Sequence, residues 1–190
     1  MSSCLREISA WSPALDAIEY NYRSLFDESI QYGGLPSPEI DANWDDLVAE
    51  RPFALTEVEV TDKLRHSATK AVHFTEEEGG EYLGFLEVFH QLHCINMLRK
   101  FVYSDYYASD RALLDTPDNV RMHMDHCLEM LRRNVMCYGD VSVLTYTWSA
   151  KKDIPNPNFD VMHKCRNFDR IVDWNRNGER ALNRTPTKPV

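Results

Sequence analysis

The sequence predicts a mainly α-helical domain built around an antiparallel helix pair, with a small β-hairpin or short extended segments beside it. Three observations carry that reading. Apolar residues recur at spacings of three and four in two long runs, from about Leu83 to Tyr103 and from about Pro117 to Met136. A polar connector, 104–116, separates the runs and ends in Asp115-Thr116-Pro117, a strong helix-start signal. Each run also carries the same pattern, HQLHCINMLRK at 90–100 and HMDHCLEMLRR at 123–133. Six of the eleven positions match, which points to a shared purpose rather than to ordinary helix composition.

The remaining elements follow in chain order. Ser12-Pro13 supplies an N-cap and a first helical residue, and the apolar spacing after it predicts a helix to about Phe26. Gln31 to Pro36 reads as a loop. Ser37-Pro38 opens a second, short helix with Ile40, Trp44 and Leu47 on one side, Trp44 serving as a core anchor. Thr56 and Glu59 have the spacing of a capping box, so a helix is expected to about Arg65. Residues 69–75 and 81–85 flank Glu76-Glu77-Glu78-Gly79-Gly80 as the arms of a hairpin. The β-branched and aromatic stretch 141–148 predicts an extended segment, 154–158 a rigid proline loop, and 159–177 a last helix closed by Gly178. The expected organisation is one domain: an N-terminal helix and loop at 1–36, a metal-binding helical core at 37–178, and a loose tail at 179–190.

Bulk properties bound the function. A chain of 190 residues that is 43% hydrophobic can bury one core of its own. A net charge of −9 argues against a nucleic-acid binder, which needs a basic patch for phosphates. No stretch approaches the roughly 20 apolar residues of a membrane span, and no signal peptide is visible at the first residues. The expected compartment is the secretory-pathway lumen if an anchor precedes this domain, and the cytoplasm otherwise. The sequon Asn183-Arg184-Thr185 points weakly to the former.

The chemistry sits in the repeated pattern. At 100° per residue, His90, His93 and Cys94 fall within an arc of about 100°, as do His123, His126 and Cys127. Imidazoles at i and i+3 reach a common ion. The two motifs lie at similar distances on either side of the connector, so an antiparallel pair brings four imidazoles and two thiols together. Such a set suits copper or zinc, and also iron. A lone His-x-x-His would be a packing or surface feature; the repeat holds four of the seven histidines in the chain, and that favours a site. Cys94 and Cys127 are either thiolate ligands or a disulfide clamping the helices, and Cys137 with Cys165 offers a second bridge. His163 is either a further ligand, a substrate contact or a partly buried helix residue. Tyr103, Tyr106, Tyr107 and Tyr138 read mostly as packing, and Arg99 and Arg132 as salt-bridge partners of acidic helices.

The doubled motif, with Glu87-Val88-Phe89 before its first copy and Leu131-Arg132 after its second, resembles the UstYa-like family of fungal biosynthetic proteins. Trp11-Ser12-Pro13-Ala14, Ser37-Pro38-Glu39-Ile40-Asp41 with Trp44, Cys137-Tyr138-Gly139-Asp140, and His163-Lys164-Cys165-Arg166-Asn167-Phe168 with Trp174 extend the likeness over roughly 10–178. The resemblance implies an oxidative tailoring enzyme of secondary-metabolite or cyclic-peptide biosynthesis. It would use one or two copper ions on His90, His93, His123 and His126 to activate O₂ for oxidative cyclisation, hydroxylation, desaturation or halogenation. The expected partner is a small-molecule or peptide intermediate, with a second copy or a related family member as a pairing partner. Two other readings stand beside it. One is a redox-neutral cyclase or isomerase that uses the same histidines as acids and bases. The other is a non-catalytic, zinc-stabilised binding module.

Overall fold

The computed structural model describes residues 10–25, 31–49, 51–148 and 154–186. Cys4, the end of the first expected helix and the last residues of the tail lie outside that range. The fold is mainly helical, with three two-stranded sheets. The helices are α1 (Pro38–Leu47), α2 (Glu87–Val102), α3 (Pro117–Tyr138) and α4 (Phe168–Asn177). The strands are β1 (Tyr20–Ser24), β2 (Phe53–Leu55), β3 (Tyr82–Gly84), β4 (Thr145–Trp148), β5 (Pro155–Asn158) and β6 (Met162–Arg166), and they pair as β1–β6, β2–β3 and β4–β5. The described residues group into two compact units, each made from separate stretches of chain.

One unit comprises 10–22, 51–86 and 164–186. Its core is Phe53, Leu55, Val60 and Tyr82, with Trp11, Leu64, Leu86 and Trp174 packed against them. β2 and β3 are antiparallel, with Phe53 opposite Gly84 and Leu55 opposite Tyr82. Trp174 of α4 meets Phe53 edge-on at 5.2 Å. Buried Asn175 continues the strand chemistry: its Oδ1 accepts the Arg51 N–H at 3.2 Å and its Nδ2 donates to the Arg51 carbonyl at 2.9 Å. The capping box forms, with Thr56 N–H donating to Glu59 and Glu59 N–H to Thr56 Oγ1. The turn it caps is a π-helical turn, Glu59–Lys63. Gly84 is there because nothing larger fits: a Cβ would stand 2.7 Å from Phe53 Cε2 and 2.9 Å from Leu55 Cδ1. Gly84→Ala is expected to lower unfolding free energy by about 1–3 kcal/mol in a urea titration. A wild-type midpoint would refute that packing.

Three expectations about this part of the chain are corrected. The N-terminal helix is a single 3₁₀ turn, Pro13–Ala17, capped by Ser12, after which the chain extends into β1. Its tyrosines favour a pleated partner once β6 is within reach. The hairpin at 69–85 shrinks to one bridge between His73 and Tyr82, because β3 takes β2 as its ladder partner and Glu76–Glu78 curls into a 3₁₀ turn. The last helix begins at Phe168 rather than 159, since the preceding residues form β6.

The other unit comprises 23–25, 31–49, 87–148 and 154–163. Ser37 caps α1 by accepting the Ile40 N–H, and Pro38 takes the position that needs no N–H. Thr116 and Pro117 do the same for α3, and Gly139 ends it with φ +39° and an N–H to the Val135 carbonyl. Cys94, Met97, Met124 and Cys127 form the core between α2 and α3, ringed by Leu98, Leu113 and Leu131. Among α3 residues only Met124 and Cys127 are fully buried. β4 and β5 form an antiparallel hairpin in which all eight residues are exposed. The segment expected to be a proline loop is therefore a strand. Among the described residues no helix is long and apolar enough to cross a membrane.

Candidate functional site: facing histidine pairs

The four motif histidines meet across α2 and α3. The rings of His90 and His126 lie 5.9 Å apart between centroids, and those of His93 and His123 lie 6.1 Å apart. Residue numbers rise along α2 as they fall along α3, so the helices run antiparallel at this point. The ring planes are tilted by 37° and 31°, which excludes flat stacking as the reason for the approach. His90 and His93 are half-buried, whereas His123 and His126 are exposed. The Glu87 carboxylate stands 3.5 Å from His90 Nδ1.

The thiols lie beneath the histidines, and Cys94 touches His90. Cys94 and Cys127 are fully buried in the core, and Cys94 Sγ lies 3.9 Å from His90 Nε2. Burial, reinforced by the hydrogen bond with Cys94, pushes the Cys127 thiol up to about 12. The expected disulfides are corrected: neither Cys94–Cys127 nor Cys137–Cys165 is bridged. Exchange starts from a thiolate, and the dry core holds Cys127 as a thiol. Cys137 is exposed on the last turn of α3, while Cys165 sits on β6 in the other unit.

The donor chemistry fits a transition metal. Two imidazoles sharing one ion at about 2.0–2.1 Å hold their ring centres no more than about 6.3 Å apart. Both pairs lie inside that span. Among the described residues, no three His, Cys, Asp or Glu side chains are already gathered into a ligand cage. The arrangement is thus two facing pairs open toward solvent, not a closed structural site.

His163 joins neither pair. Its Nδ1 bonds the Asp140 carboxylate at 2.7 Å and the Ser142 hydroxyl at 3.2 Å. Hydrogen bonds from Ser142 and then His163 hold the Asp140 carboxyl down at about 2. His126 is twelve residues before the end of α3, about 18 Å of helix axis, and Asp140 lies past that end. The serine and the carboxylate share one ring nitrogen, so this is a clasp at the foot of the β4–β5 hairpin and not a nucleophile triad.

A second polar constellation supports α2. Arg99 donates to Asp41 at 2.9 Å, to the Tyr107 hydroxyl at 2.7 Å and to Asn96 at 2.9 Å, and packs over the Trp44 ring. Tyr107 donates to Asp41 at 2.5 Å. Burial and that bond push its hydroxyl up to about 12, so it stays a neutral donor. Arg132, by contrast, is an exposed partner of Glu129. Tyr107 is packing, as the sequence suggested, while Tyr106 and Tyr138 are exposed. Asp41 and Asp140 entered the sequence reading only as part of the family resemblance, with no role assigned, because their partners lie 66 and 23 positions away.

In the other unit, a shallow pocket of about 260 Å³ is lined by Asp16, Ala17, Arg170, Asp173, Trp174, Asn177 and Gly178, and holds none of these histidines.

The site is thus a helical scaffold that presents facing histidine pairs, backed by a dry thiol and methionine core. Comparison with known families places it more narrowly: the family described as mycotoxin biosynthesis protein UstYa matches residues 1–177, and the chain belongs to that family. It is 31% identical to the UstYa family oxidase phomYc of Diaporthe leptostromiformis, over 90% of this chain and 70% of that protein. It is 33% identical to the UstYa family oxidase aprY of Aspergillus flavus, over 90% of this chain and 56% of that protein. It is 32% identical to a protein named transacylase cctO of Talaromyces islandicus, over 91% and 61%. The chain thus spans little more than half of some relatives. No solved structure matches.

Proposed function

We propose that this chain is a copper-dependent oxidative tailoring enzyme of fungal secondary-metabolite biosynthesis, with His90, His93, His123 and His126 as the metal ligands. The observation that carries the reading is the pair of facing histidine contacts, at 5.9 and 6.1 Å, in a chain related to proteins named UstYa family oxidases. Bound copper would supply O₂ activation for C–H functionalisation of a small-molecule or peptide intermediate. The chain's own residues do the rest. Glu87 beside His90 biases that ring's orientation, as carboxylates behind ligating histidines do. Cys94 and Cys127 keep α2 and α3 in register from the dry side and leave ligation to the imidazoles. Exposed His123 and His126 define the face from which substrate approaches. Products of cyclisation, hydroxylation, desaturation or halogenation are all compatible with this site.

The transacylase name of one relative favours a second reading, a redox-neutral reaction using the same imidazoles as acid and base. One experiment separates the two. Protein loaded with Cu²⁺ and desalted is analysed for metal, then assayed with its biosynthetic intermediate under air, under argon and after chelation. The oxidase reading expects one or two copper ions retained per chain, and product formation that needs both metal and O₂. Full turnover without either would overturn it and support the acid–base reading.

A further inference from the structure

All eight residues of the β4–β5 hairpin are exposed, and its two faces differ sharply. Tyr146 stands opposite Pro157 and Trp148 opposite Pro155, which puts two aromatics and two prolines on one face. Thr145, Thr147, Asn156 and Asn158 occupy the other. Among the described residues no third strand joins this sheet. An isolated two-stranded hairpin is marginal in water. This one is nevertheless rooted, since Asp140, Ser142 and His163 clasp its foot.

Its edges are not equivalent. Proline has no N–H, so the pairs that exchange ladder bonds must be Thr145–Asn158 and Thr147–Asn156. Pro155 and Pro157 then face outward on β5 and close that edge to pairing. On β4 the outward groups belong to Tyr146 and Trp148, and both keep their N–H and C=O. A sheet with one open edge can join only one further strand at that edge. If that strand is its own copy, the assembly closes at two and cannot grow.

We infer that the open edge of β4 is a self-association surface, pairing antiparallel with β4 of a second copy to make a four-stranded sheet. The segment Thr145-Tyr146-Thr147-Trp148 is self-complementary in that register. Thr147 falls on the two-fold axis, and Tyr146 lies opposite the partner subunit's Trp148. Aromatic cross-strand pairs stabilise such a joint. The aromatic side chains at that edge are also exposed. Tyr146 is 65% exposed and Trp148 78%. Together they leave on the order of 350 Å² in water, to which the paired backbone and the threonines add toward the about 800 Å² per partner of a stable interface.

The full chain is tested by sedimentation up to roughly 100 µM, where a micromolar dimer is nearly complete. The expected result is a dimer. Tyr146→Pro removes an outward N–H without touching the hairpin's own ladder, and it should weaken association by at least about tenfold with an unchanged circular dichroism spectrum. Thr147→Cys should form a chain-to-chain disulfide with itself under mild oxidation, beyond any formed by the wild type through exposed Cys137. A monomeric wild type would overturn the inference. So would a dimer that is indifferent to Tyr146→Pro and gives no added cross-link with Thr147→Cys, because that dimer would be built on another surface.

Discussion

Arg99→Met is expected to lower unfolding free energy by about 3 kcal/mol, and the thermal midpoint by roughly 6–12 °C for a chain of this length. Arg99 is 11% exposed and satisfies three groups at once: the Asp41 carboxylate, the Tyr107 hydroxyl and the Asn96 amide oxygen. Methionine keeps the stem that packs against Trp44 but removes every donor. The Asp41 charge is then half-buried with only Tyr107 to hold it, and a stranded carboxylate is more costly than a missing pair. Adding Asp41→Leu to Arg99→Met should therefore recover part of the loss, which makes the double variant the decisive control. Loss of less than about 0.5 kcal/mol in Arg99→Met would show that the constellation carries no stability. The effect bears on function because Asp41 belongs to α1, Arg99 to α2 and Tyr107 to the connector. Pinning these three elements fixes where α3 starts relative to α2, and so which histidines face each other.

What the sequence made legible follows from the range of the forces involved. Ser37-Pro38, Thr116-Pro117 and the Thr56–Glu59 box announce helix starts through contacts three residues apart, and all three appear where expected. The Arg99 and Arg132 partners were legible as a class, acidic side chains on helices, though only Arg99 is itself largely shielded from solvent. Strands were read poorly. β1 looked helical because Leu15, Ile18 and Tyr22 recur at helical spacing, yet the partner that extends it lies about 140 residues away in β6. β5 looked like a loop because prolines are depleted in strands. The structure puts both prolines where the missing N–H faces outward, a distinction set by register and invisible without the partner. Cysteine spacing misled for a related reason: equal positions in two motifs bring Cys94 and Cys127 together, but no bridge forms between them and burial holds Cys127 as a thiol.

His93→Ala/His126→Ala is expected to abolish copper retention and to cut oxidative turnover by at least about 100-fold, with the fold intact. The choice of residues follows the geometry. His93 belongs with His123 and His126 with His90, so this variant takes one ring from each facing pair. His90→Ala/His126→Ala instead removes one pair whole and leaves His93 opposite His123. A site with one ion per pair would keep about half of its copper in that variant and none in the first, whereas a single shared ion would be lost from both. Elemental analysis of the two variants therefore counts the ions as well as locating them. Cys94→Ala/Cys127→Ala supplies the contrast. Both sulfurs are buried in the core, with Cys94 3.9 Å behind the His90 ring nitrogen, so most of the copper should stay while the protein loses about 2 kcal/mol of stability from the vacated volume. Wild-type copper in His93→Ala/His126→Ala, or its loss only when the cysteines go, would remove the imidazoles from the site and hand ligation to the thiols.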